Sequence, residues 1–86
     1  MNYRNNQPVT VTAFHFTKQF ETIPRRIEID GVSYELQPDY KKISFQNDDG
    51  HEDWFDLSDG SQTFRLRGGG TSNWHLVGLD GNYAKV

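Results

Sequence analysis

The sequence predicts an all-β protein: a small single-domain antiparallel meander closing into a roll or SH3-like small barrel of about 6–7 short strands. Three observations carry this. Short runs of alternating apolar and polar residues follow one another along the chain, separated by Gly, Asp, Asn and Ser. Aromatic residues make up 14% of the 86 residues, and aromatics favour strands. An Asp30-Gly31 pair sits between two alternating runs, a strong hairpin signal. An open meander is the alternative, and the likeness to small barrels is architectural only.

The chain has the length of one domain, expected over residues 8–86 behind a disordered tail of residues 1–7. It has no Cys, so neither a disulfide nor a thiolate zinc site can brace it. The N-terminal residues are polar and lack the apolar run of a secretory signal. No segment approaches the ~20 apolar residues of a membrane span. A cytoplasmic protein without membrane partners is therefore expected.

The first strand reads from Pro8 to Phe16. Val9, Val11 and Ala13 share one parity, Phe14 and Phe16 the other, so a bulge or a hand-over between two sheets is expected near Ala13. Thr17 to Thr22 leaves room for one helical turn, ended at Ile23-Pro24. The hairpin Arg25 to Gln37 follows. A type I′ turn at Asp30-Gly31 pairs Ile29 with Val32 and Ile27 with Tyr34. Ile27, Ile29, Val32, Tyr34 and Leu36 then share a core face, opposite Arg26, Glu28, Ser33, Glu35 and Gln37.

After a turn at Pro38-Asp39, a strand over Tyr40–Gln46 is expected to turn Ile43 and Phe45 to the core. Asn47 to Asp53 reads as an acidic loop. Trp54–Leu57 and Gln62–Arg67 form a second hairpin. A two-residue Asp59-Gly60 turn there pairs Phe55 with Phe64 and Trp54 with Arg65. Phe55, Leu57, Phe64 and Leu66 face the core, while Trp54, Asp56, Thr63 and Arg65 face outward. Gly68 to Gly70 reads as a flexible loop. Asn73–Leu79 is apolar on both parities, and the register that buries Trp74 and Leu76 is preferred because they hold more apolar area. It sends His75 outward beside Arg65.

Few residues suggest chemistry. Placing Gly50 at the glycine of an EF-hand loop puts Phe45 at the first ligand position, where an oxygen is needed. His15, His51 and His75 fall in three segments without ligand spacing. No Ser sits in a nucleophile elbow, and the Gly run lacks the Lys and Ser/Thr of a phosphate loop. No catalytic residue, metal or cofactor is expected, and the chain reads as a non-enzyme.

The candidate site is the outer face of the last three strands: Trp54, Asp56, Thr63 and Arg65, with Arg67 and His75. A rigid aromatic beside a guanidinium makes a good recognition anchor. The plainer account is a Trp stacked on an Arg among ordinary cross-strand charge pairs. The expected function is a protein-binding or self-assembly module, with a protein partner or homo-oligomer. The alternative is a single-stranded nucleic-acid binder using Tyr40, Lys41, Lys42, Trp54, Arg65, Arg67 and Trp74. The net charge of -3 opposes that alternative.

Overall fold

The computed structural model describes residues 7–48, 50–69, 72–80 and 82–83. Among these residues, nine strands run in the order β1 (Gln7–Pro8), β2 (Thr10–Phe16), β3 (Thr22–Ile29), β4 (Val32–Glu35), β5 (Tyr40–Asn47), β6 (Gly50–Ser58), β7 (Thr63–Gly69), β8 (Ser72–Leu79) and β9 (Asn82–Tyr83). They make two antiparallel sheets. The larger has the order β1-β8-β7-β6-β5, with β9 also on β8, and the smaller has the order β2-β3-β4. The fold is thus all-β, and among the described residues no ladder joins the two sheets into a closed barrel.

The first predicted strand is divided between the sheets. Gln7, assigned to the tail from sequence, instead pairs with Leu76 and is buried. Pro8 follows on this sheet edge, where its missing N–H is tolerated. Past Val9 the chain enters the smaller sheet, and the β2–β3 register slips on both sides of Ala13. The parity switch therefore has two causes, a hand-over and a bulge.

Thr17 to Glu21 forms a turn rather than a helical turn: the Thr17 N–H donates to the Glu21 carbonyl at 2.8 Å, and the Phe20 N–H to the Thr17 carbonyl at 3.0 Å. Phe16 and Phe20 stand exposed there, their rings edge to face. β3 starts at Thr22, before Pro24. The proline is harmless because β4 pairs with β3 only from Arg26 to Ile29 and the β2 ladder slips beside it.

The Asp30-Gly31 hairpin has the expected register, Ile29↔Val32 to Arg26↔Glu35. Both turn residues have positive φ, 50° and 82°, as a type I′ turn demands. One expected core member fails: Val32 is 51% exposed, because it adjoins the hairpin tip and joins neither the core nor its fringe.

The core lies between the sheets. Ile23, Ile27 and Leu36 come from the smaller side, and Phe55, Leu57, Phe64, Leu66, Trp74 and Leu76 from the larger. Tyr34 crosses the interface to lie 5.0 Å from the Phe64 ring, and Phe55 lies 5.5 Å from Trp74, centroid to centroid. Fully burying each Leu, Ile or Phe contributes roughly 1.5–3 kcal/mol. The preferred register of β8, with Trp74 and Leu76 buried, holds. Val77 is buried as well, because β8 carries an extra residue where Arg65↔Gly78 gives way to Leu66↔Leu76. Gly68 and Gly69, read as loop, continue β7. Gly70 and the outermost residues 1–6 and 84–86 lie outside the described residues.

Two registers differ from expectation. The β6–β7 connection spans four residues, Asp59 to Gln62, so Leu57 opposes Phe64 and Phe55 opposes Leu66. Asp59 sets it: its Oδ1 accepts the N–H groups of Ser61 and Gln62 at 2.8 and 2.9 Å, and its own N–H reaches the Gln62 carbonyl. The slip is two residues, so every face is preserved. In the second case, the expected acidic loop is mostly strand, since β6 begins at Gly50 and Asn47 opposes it.

Candidate functional site

That tight β5–β6 connection decides which face of β5 is which. Opposed residues in an antiparallel ladder share a face. Phe55 and Leu57 point inward, so their partners Lys42 and Tyr40 do too. Ile43 opposes Trp54 and Phe45 opposes Glu52, on the outer face. Ile43 and Phe45 are therefore not core residues, and Phe45 is 39% exposed. Their alternation was legible, but the side they occupy depends on the turn at 47–50. A tight Asn-Asp-Asp-Gly turn was the signal that would have found them.

The smaller sheet covers the inner face of the larger one and leaves the outer face uncovered. Trp54 is its centre. The Phe45 ring packs on it edge to face, 4.8 Å between centroids, and the Arg65 guanidinium lies 5.4 Å from the ring centre. The indole N–H donates to Glu52 Oε2. Arg65 opposes Asp56, not Trp54, and grips it with two bonds of 2.7 Å, from Nε to Oδ1 and Nη2 to Oδ2. Such a bidentate pair fixes the guanidinium plane over the indole. Trp54 opposes Arg67, whose Nη1 is 3.9 Å from Glu52 Oε1. His75 opposes Arg67 rather than Arg65, half-buried, its Nδ1 3.3 Å from the Asn73 carbonyl oxygen. Thr63 is exposed at the far end of β7, its N–H donating to Asp80 Oδ1 at 2.7 Å.

Five of the six predicted site residues, Trp54, Asp56, Arg65, Arg67 and His75, thus cluster on one face, with Thr63 at its rim. Sequence reasoning missed Phe45 and Ile43, and it named Lys41, which opposes Asp56, only for the nucleic-acid alternative. Each arginine is held by a carboxylate, so the face offers an oriented aromatic and partly neutralised guanidinium groups rather than bare positive charge.

A polar group occupies the inner face beyond the reach of the core. Glu21 accepts from Lys42 Nζ and, at 2.7 Å, from the Tyr40 hydroxyl. The Lys42 hydrogen bond foremost, then that of Tyr40, holds the Glu21 carboxyl below its ordinary 4.5. Nearby, Asp53 Oδ1 is 2.8 Å from both Ser44 Oγ and His51 Nε2. Gln19, Glu21, Pro38, Asp39, Tyr40 and Lys42 line an open hollow of about 380 Å³. In the Ser44, Asp53 and His51 group the aspartate, not the histidine, is the middle member, so the Ser44 hydroxyl meets a carboxylate and not the imidazole of a nucleophilic triad. Among the described residues, no three His, Asp or Glu side chains are grouped as metal ligands, and no helix is long and apolar enough to cross a membrane.

The chain matches no family model, no curated protein and no solved structure.

Proposed function

We propose that this protein is a non-enzymatic binding module that recognises a protein partner through the outer face of its larger sheet. The observation that carries the proposal is Trp54, packed on the Phe45 ring and faced by the Arg65 guanidinium, on a face that the smaller sheet leaves open. Aromatic residues and Arg are the side chains that dominate protein–protein binding energy, and they do so when preorganised. The Arg65–Asp56 and Trp54–Glu52 bonds supply that preorganisation. Single-stranded nucleic acid is the second reading, since bases stack on such aromatics. The carboxylates on Arg65 and Arg67 weigh against it, because they compete with phosphate.

Selection from a random displayed-peptide library on the immobilised protein tests the proposal. Selected peptides should lose about tenfold or more in affinity for Trp54→Ala, as truncating an interface anchor does. They should bind Phe20→Ala as they bind the parent. Peptides indifferent to Trp54→Ala would refute the assignment. A fluorescent oligonucleotide titrated at low salt separates the two readings: saturable binding lost in Arg65→Ala favours nucleic acid.

A further inference from the structure

We infer that the β5 edge of the larger sheet pairs with the same edge of a second copy of this chain, antiparallel about Ser44. The inference concerns the strand edge, and it does not depend on the outer face recognising another protein.

Among the described residues β5 is the outermost strand on its side, eight residues long. Its register with β6 runs unbroken from Tyr40↔Leu57 to Asn47↔Gly50. The opposite border of the sheet is formed by two-residue strands on β8. Alternate residues of an outermost strand turn their N–H and C=O groups away from the sheet, and a long edge without bulges is a template for another strand. Natural edges are blunted by bulges, proline or inward-pointing charge. The β5 edge has no bulge and no proline. Its inward-pointing lysine, Lys42, is neutralised within the chain by Glu21, with Asp53 Oδ2 3.9 Å away.

The sequence of the edge selects the occupant. Lys41 and Lys42 stand near one end, and Asp48 follows the other. A parallel copy would set lysine beside lysine. An antiparallel copy centred on Ser44 sets Lys41 of each chain opposite Asn47 of the other, and Lys42 opposite Gln46 with Asp48 diagonal to it at the same parity. The same register opposes Ile43 and Phe45 twice over, on the outer face, and Lys42 and Gln46 on the inner face. Phe45 is already seated on Trp54. Pairing therefore joins the aromatic patches of two copies into one, and it covers apolar surface that a single chain leaves exposed. A two-fold axis through Ser44 makes the contact isologous, so it closes at two copies instead of growing into a fibre.

Sedimentation velocity on the full chain over a concentration series tests this, together with amide hydrogen exchange of β5 in dilute and concentrated samples. The expected result is a concentration-dependent doubling of the 10.0 kDa mass, with slower exchange of alternate β5 amides in the concentrated sample. Phe45→Glu, which sets a carboxylate against Ile43 of the other chain twice over, should raise the dimer dissociation constant about tenfold, whereas Phe20→Glu should leave it unchanged. A mass that stays monomeric at every concentration overturns the inference. So does a dimer whose β5 amides keep their dilute exchange rates, or one that Phe45→Glu does not weaken. A monomer that still selects peptides through Trp54 overturns this pairing alone and leaves the outer-face proposal standing.

Discussion

Gly68 is the position where one added methyl group should do most harm. A Cβ there would lie 2.8 Å from Cδ2 and 2.9 Å from Cε3 of Trp74, and 3.0 Å from the Asn73 carbonyl oxygen. None of the three can move aside cheaply. The Trp74 ring is 3% exposed and is wedged against Phe55, and the oxygen belongs to the backbone. Gly68→Ala therefore overpacks the core beside its largest ring, at a cost of about 1–3 kcal/mol. Against a total stability of about 5–15 kcal/mol this is a substantial fraction. It corresponds to a fall in melting temperature of about 4–8 °C for each kcal/mol. Urea unfolding followed by tryptophan fluorescence measures it. The control is Gly69→Ala, one residue on, where no atom lies within 4 Å of the new Cβ and the change should stay within about 0.5 kcal/mol. Equal stabilities for the two variants would refute the close packing of β7 on Trp74.

Three further outcomes are expected. Phe64→Ala removes a ring buried between the sheets and packed on Tyr34, and it should cost about 3–5 kcal/mol in the same assay; a loss below about 1 kcal/mol contradicts its place in the core. Gly31→Val forces a β-branched residue to a φ of 82°, and it should destabilise by about 1–2 kcal/mol or more, whereas Gly69→Val should be mild; equal effects count against the type I′ turn. Because the Glu21 carboxyl is held below its ordinary 4.5 by Lys42, its contribution to stability is complete above that value and disappears as pH falls through the lowered one. Carbon-13 NMR titration should show Lys42→Ala moving the Glu21 midpoint upward, and an unchanged midpoint contradicts the pairing.

What the sequence made legible followed from local chemistry. The Asp30-Gly31 hairpin was readable because turn type and alternation independently specify the same register. The buried face of β6 and β7 survived a wrong turn length, since a slip of two residues leaves period-two faces intact. Ile43 and Phe45 were not placed correctly, because alternation groups residues into faces without saying which face is covered. That choice belongs to the β6 register, which follows from reading residues 47 to 50 as a tight turn and not as a loop, and to which face the smaller sheet covers. Ile23 was overlooked because Ile23-Pro24 reads as the end of a helical turn and not as part of a strand. Val77 owes its burial to an extra residue in β8, and the apolar residues on both parities of that segment read as a choice of register and not as its mark. For the site, a Trp and two Arg at outward parity were visible, while the Phe45 ring that completes the surface was hidden by the same error of side.

The passage of the first strand from one sheet to the other carries a consequence for how the chain folds. Each sheet has a hairpin core that forms from near neighbours, β2 to β4 in one case and β5 to β8 in the other. The link of β1 to β8 is different: Gln7 finds Leu76 only after nearly the whole chain is available. Closing so long a loop carries an entropic cost before any contact repays it. The local hairpins can form on the microsecond scale of isolated ones. Among the described residues, docking β1 against β8 is the one pairing that no local hairpin can supply. During synthesis, β2 to β4 emerge first and must wait with Ile23, Ile27 and Leu36 uncovered until β6 to β8 arrive to bury them.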